Sequence, residues 1–383
     1  MTIVSLPLSS IINFTRSSSA WYTNTSGTYV ESPSNTPRIN YDVERETQHL
    51  LIEPASENLI RDSKFTTSVL AGVLSDYATI DSGSIASEVI AINTLNGVTS
   101  VTVNFNGIAD QDVIKVHLDS IPAIDNTDYS FILTKEINDN SINSILSIET
   151  DNRIVHENKS DRSVYLVADA LDVSMKPTIN IPVVIGETYN FSLTISKPQL
   201  EPLPFVTSFI PTEITSVQRD EEIATINTLG DWYSSTEGTL VVKYSSVGST
   251  NSRRFKVGFT DTLSQRDLGF RSAENISARI ESGSGDIEFK HLNGIVIDDK
   301  KYLLAISYKQ NDSFSMVDNT FSAVDTNCVI DTFDKLLIGT DGASGQLCSG
   351  KIDFIKFFPK KLSNEEVSNL FGTESEIIVI TEF

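Results

Sequence analysis

The sequence predicts an all-β protein built from two antiparallel β-sandwiches behind an extended N-terminal docking segment, and three observations predict it. Beyond residue 60 the chain consists of short runs rich in Val, Ile, Thr, Tyr and Phe, cut by Asn, Asp, Gly and Ser clusters. Helical periodicity is almost absent. A proline-studded stretch, Lys197–Pro202 followed by Thr207–Thr212, interrupts the strand series where a regular sheet would stop. At 383 residues the chain fits two or three domains. The expected boundaries are 1–62 for the docking segment, 63–212 and 213–372 for the sandwiches, and 373–383 for a C-terminal β-prone tail.

The docking segment lacks a regular period. Phe14, Trp21, Tyr22, Tyr29 and Tyr41 are spaced aromatics among Ser, Thr, Asn and Pro, so they offer contact area without a core of their own. Such a segment must pack on something else. In the first sandwich, Val101–Phe105, Val113–Leu118, Tyr129–Leu133, Ser163–Val167 and Tyr189–Ile195 alternate apolar and polar residues, which buries one face of each. The second series comprises Ile223–Ile226, Gly230–Tyr233, Gly238–Tyr244, Arg254–Phe259, Ala278–Ile280, Tyr302–Tyr308, Ser313–Val317, Leu336–Gly339 and Lys351–Phe358. Its close spacing predicts a jelly roll or related sandwich. One helix is expected over Leu362–Phe371, with Ser363 as N-cap, Glu366 completing a capping box and Gly372 as the stop. The tail Glu374–Phe383 is apolar and β-prone, and is expected to pair with an edge strand of its own chain or a neighbour.

Charge and composition exclude several classes of function. With 51 acidic and 29 basic residues the net charge is -22, which repels nucleic acid phosphates and anionic membrane surfaces. No apolar run approaches the roughly 20 residues a bilayer span needs, and Met1–Leu8 lacks a basic, apolar leader, so synthesis in a cytoplasm is expected. The two cysteines, Cys328 and Cys348, support no disulfide framework; unpaired buried thiols and a facing pair are both compatible with their spacing.

Candidate chemistry is sparse. His49, His117, His156 and His291 are scattered, without metal-pair spacing or a serine or cysteine elbow nearby. Asp110, Asp112, Asp125, Asp128, Asn138, Asn140, Asp298 and Asp299 form loop-borne oxygen clusters of the kind calcium takes, but none has the glycine and closing glutamate of an EF-hand loop; solvated loop acids are the simpler account, and no cofactor is expected. Trp232 with Tyr233, and Trp21 with Tyr22, can form a glycan platform by stacking on a pyranose while Asn and Asp take its hydroxyls; both pairs can equally be core or subunit contacts.

The leading segment resembles that of tailed-bacteriophage virion surface proteins, head fibres and tail fibres alike. Phe14, Thr15, Arg16, Pro37, Arg38, Leu51, Ile52, Glu53, Asn58 and Leu59 stand at the matching places, with Trp21 where a small residue is common. Residues 63–212 resemble the carbohydrate-binding-module-like sandwich of such proteins through Gln199–Glu201 and Thr207–Thr212, with Pro202 in place of the usual glycine. Residues 213–372 resemble laminin-G or concanavalin-like domains, through Asp231–Leu240 and Phe354–Glu366.

The resemblance implies a non-enzymatic virion structural protein on the particle surface, as head fibre, decoration protein or tail fibre, assembled in the host cytoplasm. Its docking residues would be Phe14, Arg16, Trp21, Tyr22, Pro37, Arg38, Leu51 and Ile52. Capsid or tail proteins would be the partners, bacterial surface polysaccharide a ligand and a homotrimer the assembly, with no nucleic acid and no membrane insertion. The alternatives are a tail-associated receptor-binding protein and a polysaccharide depolymerase. Concanavalin-like glycosidases carry a glutamate-x-aspartate-x-x-glutamate run, and no such run occurs here. On this reading, removing residues 1–60 leaves two soluble sandwiches, and alanine at Phe14 and Trp21 mainly weakens assembly.

Overall fold

In the computed structural model the described residues are 11–156, 163–246, 255–261, 267–272, 276–282, 285–290, 300–339 and 349–370. They form antiparallel sheets throughout, with one short helix.

The N-terminal residues are woven into the C-terminal sandwich. Strand β1 (Asn13–Thr15) pairs with Ile223–Ile226 at the edge of a seven-stranded sheet. Strands β4 (Ile39–Asp42) and β5 (Thr47–Ile52) close the edge of the facing seven-stranded sheet, where Leu50, Leu51 and Ile52 pair with Ile352, Lys351 and Gly350. Phe14, Leu50 and Ile52 therefore share one core with Ala224, Leu240, Val257, Phe259, Leu336, Ile352 and Phe357. This revises the expected 1–62 docking unit, because Phe14, read as lacking a core of its own, finds one some two hundred residues further along the chain.

The middle sandwich is thus inserted into another domain. Its six-stranded sheet centres on Ser174–Pro182 and Ile145–Thr150, and its five-stranded sheet on Thr188–Glu201, Asp128–Ile137 and Val98–Ile108. The alternating residues Val101, Val103, Phe105, Ile114, Val116, Phe131, Phe191, Leu193 and Ile195 fill a separate core. Pro177 hides Ser174–Pro182 from a strand reading, yet the strand is central to its sheet. The Lys197–Glu201 stretch, expected as a turn, instead ends the long strand Thr188–Glu201. Opposite Leu133 the register shifts, with Lys197 at φ 53°, and the bulge accommodates Pro198 where a ladder N–H would otherwise be missing.

Two chain crossings join the sandwiches, and they pair with each other. Strand β6 (Ser56–Asn58) forms an antiparallel ribbon with Val217–Arg219, a neck between the two cores. Hairpin β2 (Ala20–Thr23) and β3 (Tyr29–Ser32) lies beside it, and the Tyr29 N–H donates to the Asn96 carbonyl of the inserted sandwich. Helix α1 (Asn364–Asn369) has the expected capping box between Ser363 and Glu366, and places Val367 in a small second cluster with Val241, Ala305, Phe314 and Phe358. Gly372 and the tail 373–383 lie outside the described residues.

Two outcomes test this arrangement. Deleting residues 1–60 removes β1, β4 and β5 and uncovers the edges at Ala224 and Ile352. An insoluble product, or loss of the cooperative melt of the C-terminal sandwich in calorimetry, is the expected result, and two independently folded soluble units would contradict it. Gly97 at φ 76° approaches the hairpin so closely that an added Cβ would stand 2.1 Å from the Tyr29 carbonyl oxygen. Gly97→Ala should therefore cost about 1–3 kcal/mol, measured by urea unfolding.

Candidate functional site: an arginine–glutamate cluster in the neck

The cluster is assembled from four parts of the chain. Arg16 follows β1, Arg38 precedes β4, Glu53 follows β5, and Arg219 and Glu222 lie on the return crossing. Each is at most 5% exposed. Arg38 grips Glu222 with two parallel bonds, Nε to Oε1 at 2.7 Å and Nη2 to Oε2 at 2.6 Å, and reaches Glu53 Oε2 at 2.6 Å. Arg16 Nη1 donates to Glu222 Oε1 at 2.7 Å, and Arg219 Nη1 stands 3.0 Å from Glu53 Oε2. The forked guanidinium suits this sharing in a way a lysine ammonium does not.

Backbone groups complete the set. The Arg16 guanidinium donates to the carbonyls of Ser18, Ser32 and Pro33, Arg38 to that of Trp21, and Arg219 to that of Pro54. Glu222 Oε2 accepts the Glu53 N–H, and Glu53 Oε1 accepts the Ser208 N–H. The Ser208 hydroxyl donates to Glu53 Oε2 and accepts from Arg38 and Arg219. Burial raises the Glu53 carboxyl, but Arg219, Arg38 and Ser208 outweigh it and bring its pKa down to about 2.

A second polar layer faces the inserted sandwich. Asn58 Nδ2 donates to the carbonyls of Pro198 and Ile210 while its Oδ1 accepts the N–H groups of Ile60 and Leu200. Glu201 accepts from Ser56, Gln199 and the Thr207 N–H, and burial raises its carboxyl. Thr212 and Ser63 bond each other in both directions. Every short motif at the N-terminal end and at Gln199–Thr212 thus contributes to one neck. The cluster's chemistry is positional: each of its ionised groups is paired with another, and the pocket beside it, which Arg219 alone of the five lines, is only about 40 Å³, far below the size of a sugar site.

The structure places the remaining candidates as follows. Phe14, Leu51 and Ile52 are buried in the C-terminal sandwich, and Arg16 and Arg38 in the neck, so the surface they were expected to offer a partner is occupied by this chain itself. Trp21, Tyr22 and Pro37 are half-buried; Trp21 stacks on Tyr29 at 5.6 Å, and Tyr29 meets Phe209 at 5.9 Å. Trp232 and Tyr233 are half-buried as well. Phe259 and Phe357 pack against them, with Tyr233 to Phe259 at 4.8 Å and Trp232 to Phe357 at 5.6 Å, which is the core-contact alternative of the two the sequence left open.

His49 is buried, His117 holds Thr178 and His156 is exposed; His291, Cys348, Asp298 and Asp299 lie outside the described residues. Cys328 is buried beside Ser313. Among the described residues no three His, Cys, Asp or Glu side chains are grouped to hold a metal ion. Asp110 and Asn138 are instead engaged with Ser84 and Ser192. No helix among the described residues is long and apolar enough to cross a membrane.

An exposed surface that sequence reasoning passed over lies on the inserted sandwich. Tyr165, 47% exposed, hydrogen-bonds Asp128 Oδ1. Nearby loops expose Ile124, Leu171 and Val173, while Arg153 bridges Asp169 and Asp172. The alternation of Ser163–Val167 pointed Tyr165 outward, and only the fold brings Asp128 diagonally across from it, since Asp128 pairs with Val167 and Ser130 with Tyr165.

No protein-family model matches the chain, and no curated protein matches it. Among solved structures it is similar to the CBM40 module of the Ruminococcus gnavus IT-sialidase bound to α2,3-sialyllactose, with 13% identity over 36% of this chain and 83% of that one, and a TM-score of 0.30. Trypanosoma rangeli sialidase in complex with the inhibitor DANA gives 11% identity over 73% of this chain and 52% of that one, with a TM-score of 0.32. Domains LG4-5 of the mouse laminin α1 chain give 11% identity over 81% and 86%, with a TM-score of 0.28. The chain spans about half the length of the sialidase it matches.

Replacing Glu222 by Gln leaves Arg16 and Arg38 facing an amide in a dry site. A loss of about 3–5 kcal/mol in chemical unfolding is expected, whereas a variant within 1 kcal/mol of the parent, roughly the value of an exposed pair, would show that the cluster is not a clamp. Within the neck, acid acts through Glu53. Its folded pKa lies below the ordinary 4.5, so its contribution is complete above pH 4.5 and is lost as the pH falls toward 2. Thermal melts should show this loss, and Glu53→Gln should flatten it.

Proposed function

We propose that this chain is a non-enzymatic component of a bacteriophage virion surface, a head fibre, decoration protein or tail fibre, in which the inserted sandwich meets bacterial surface glycan. The observation that carries the reading is the convergence of the phage-type motif residues Arg16, Arg38, Glu53, Asn58, Glu201, Ser208 and Thr212 on one neck. Such a neck holds a second sandwich at a set position on a first, which is what a display protein needs from its internal joints. Trp21, Tyr22 and Pro37, half-buried beside the neck, are the residues left to contact a capsid or tail protein.

For the glycan we assign the surface around Tyr165. A half-exposed tyrosine, a carboxylate at hydrogen-bond distance and exposed aliphatics in neighbouring loops offer apolar contact and hydroxyl recognition together. Single sites of this kind bind weakly, and a trimer repeated over a particle raises the avidity.

Cryo-electron microscopy of the intact particle tests the placement: density on the capsid or tail supports the reading, and absence from the particle overturns it. A glycan array with the intact chain and with Tyr165→Ala tests the ligand, binding being expected for the parent and at least tenfold weaker, about 1.4 kcal/mol, in the variant. Release of reducing sugar from host capsule would move the protein to the depolymerase class.

A further inference from the structure

Hairpin β2–β3 is tied to the C-terminal sandwich by a hydrogen-bond chain whose direction is forced. The Thr23 N–H donates to Asn40 Oδ1 at 2.9 Å, and Asn40 Nδ2 lies 3.2 Å from His49 Nε2. Asn40 and His49 are cross-strand partners on β4 and β5. A backbone N–H can only donate, so Asn40 must turn its oxygen toward Thr23 and its amino group toward His49. His49 Nε2 must then accept, and the ring must be neutral.

We propose that this chain is a proton-released latch: protonation of His49 leaves two donors facing each other at Asn40, and the hairpin carrying Trp21 and Tyr29 loses its hold at Thr23. Turning the Asn40 amide to satisfy the imidazolium presents its amino group to the Thr23 N–H, so neither orientation of Asn40 satisfies both neighbours. A latch of this kind uses histidine because its charge changes nearest to neutral pH.

The surroundings favour the neutral ring. His49 is 4% exposed, and burial holds its pKa down at about 4. Lys351 and Lys301 oppose the proton, while Asp353 and Asp42 favour it. Asp353 is already engaged with Lys301 at 2.8 Å and Lys243 at 3.7 Å, which weakens its pull. Where opening lets water reach the ring, its pKa rises from about 4 toward the ordinary 6.5. Opening therefore becomes easier as the pH falls through the window from 6.5 to 4, roughly tenfold per pH unit between about pH 6 and pH 5.

The release has a defined extent. Arg38 still holds the Trp21 carbonyl, and the Tyr29 N–H still donates to Asn96, so the latch frees the Thr23 end of the hairpin and leaves the neck shut. What comes loose is the end of β2, next to Trp21.

Amide hydrogen exchange of the intact chain, corrected for the intrinsic rate at each pH, tests the latch at Thr23. The expected result is protection that falls by about tenfold from pH 6 to pH 5, while amides of the inserted sandwich hold theirs. His49→Gln should remove the pH dependence. Asn40→Asp should reverse it, because a carboxylate accepts from both Thr23 and an imidazolium. Unchanged Thr23 protection down to pH 4 in the parent, or the same slope in His49→Gln, would overturn the proposal; if Asn40→Asp fails to fold, the parent and His49→Gln still decide it.

Discussion

Five buried, mutually paired ionised side chains fix the joint between the two sandwiches of this molecule. Charges removed from water are costly unless each finds a partner, and in the neck each does: Glu222 between Arg16 and Arg38, Glu53 between Arg38 and Arg219. Such a cluster adds little stability beyond what an apolar core of the same volume would supply. What it adds is uniqueness. An apolar neck would tolerate sliding of β6 against Val217–Arg219, whereas a guanidinium gripping Glu222 through two parallel bonds admits one register. The positions of β1, β4 and β5 follow, since Arg16, Arg38 and Glu53 lie immediately beside those strands.

The inserted topology makes the neck necessary. Phe14 and Ile52 share a core with residues beyond 223, while the 150 or so intervening residues fold around a core of their own. Closing so long a loop costs entropy that grows only slowly with length, and contacts of such separation form late in folding. A prefolded insert shortens the effective loop, because its two ends leave it side by side at Asn58 and Val217. The Asn58 side chain, bonded to Pro198, Ile210, Ile60 and Leu200, holds that exit.

Much of the fold was legible because a half-buried strand must alternate. Val101–Phe105 and Tyr189–Ile195 announced their buried faces, and Ser363 with Glu366 announced the helix. Partners were not legible. Alternation shows that one face is buried, and it says nothing of what buries it, so Phe14 read as a docking aromatic although Ala224 lies opposite it in its own chain. The same limit applied to Trp232 and Tyr233, which fitted a sugar platform and a core contact equally in the sequence, and whose packing against Phe259 and Phe357 only the fold supplies. Ser174–Pro182 was hidden for a different reason, since Pro177 breaks the strand pattern in sequence but sits among its neighbours without disturbing the sheet.

The charged motif residues were conspicuous in the sequence for the reason that obscured their role. Arginine beside serine, proline–arginine and isoleucine–glutamate look like surface chemistry, since Arg and Glu are seldom fully buried unless paired. In this chain they are paired, across separations such as Arg38 to Glu222 that no local pattern can encode. An arginine at 0% exposure bound to two glutamates is a structural joint, and it passes its orientation to the backbone it touches. Arg38 holds the Trp21 carbonyl, the hairpin carries Trp21 against Tyr29, and Tyr29 leans on Phe209 at the foot of the inserted sandwich. The half-buried side chains of that hairpin are therefore the place where a contact from outside would be felt by both sandwiches, because the neck that joins the cores also positions them.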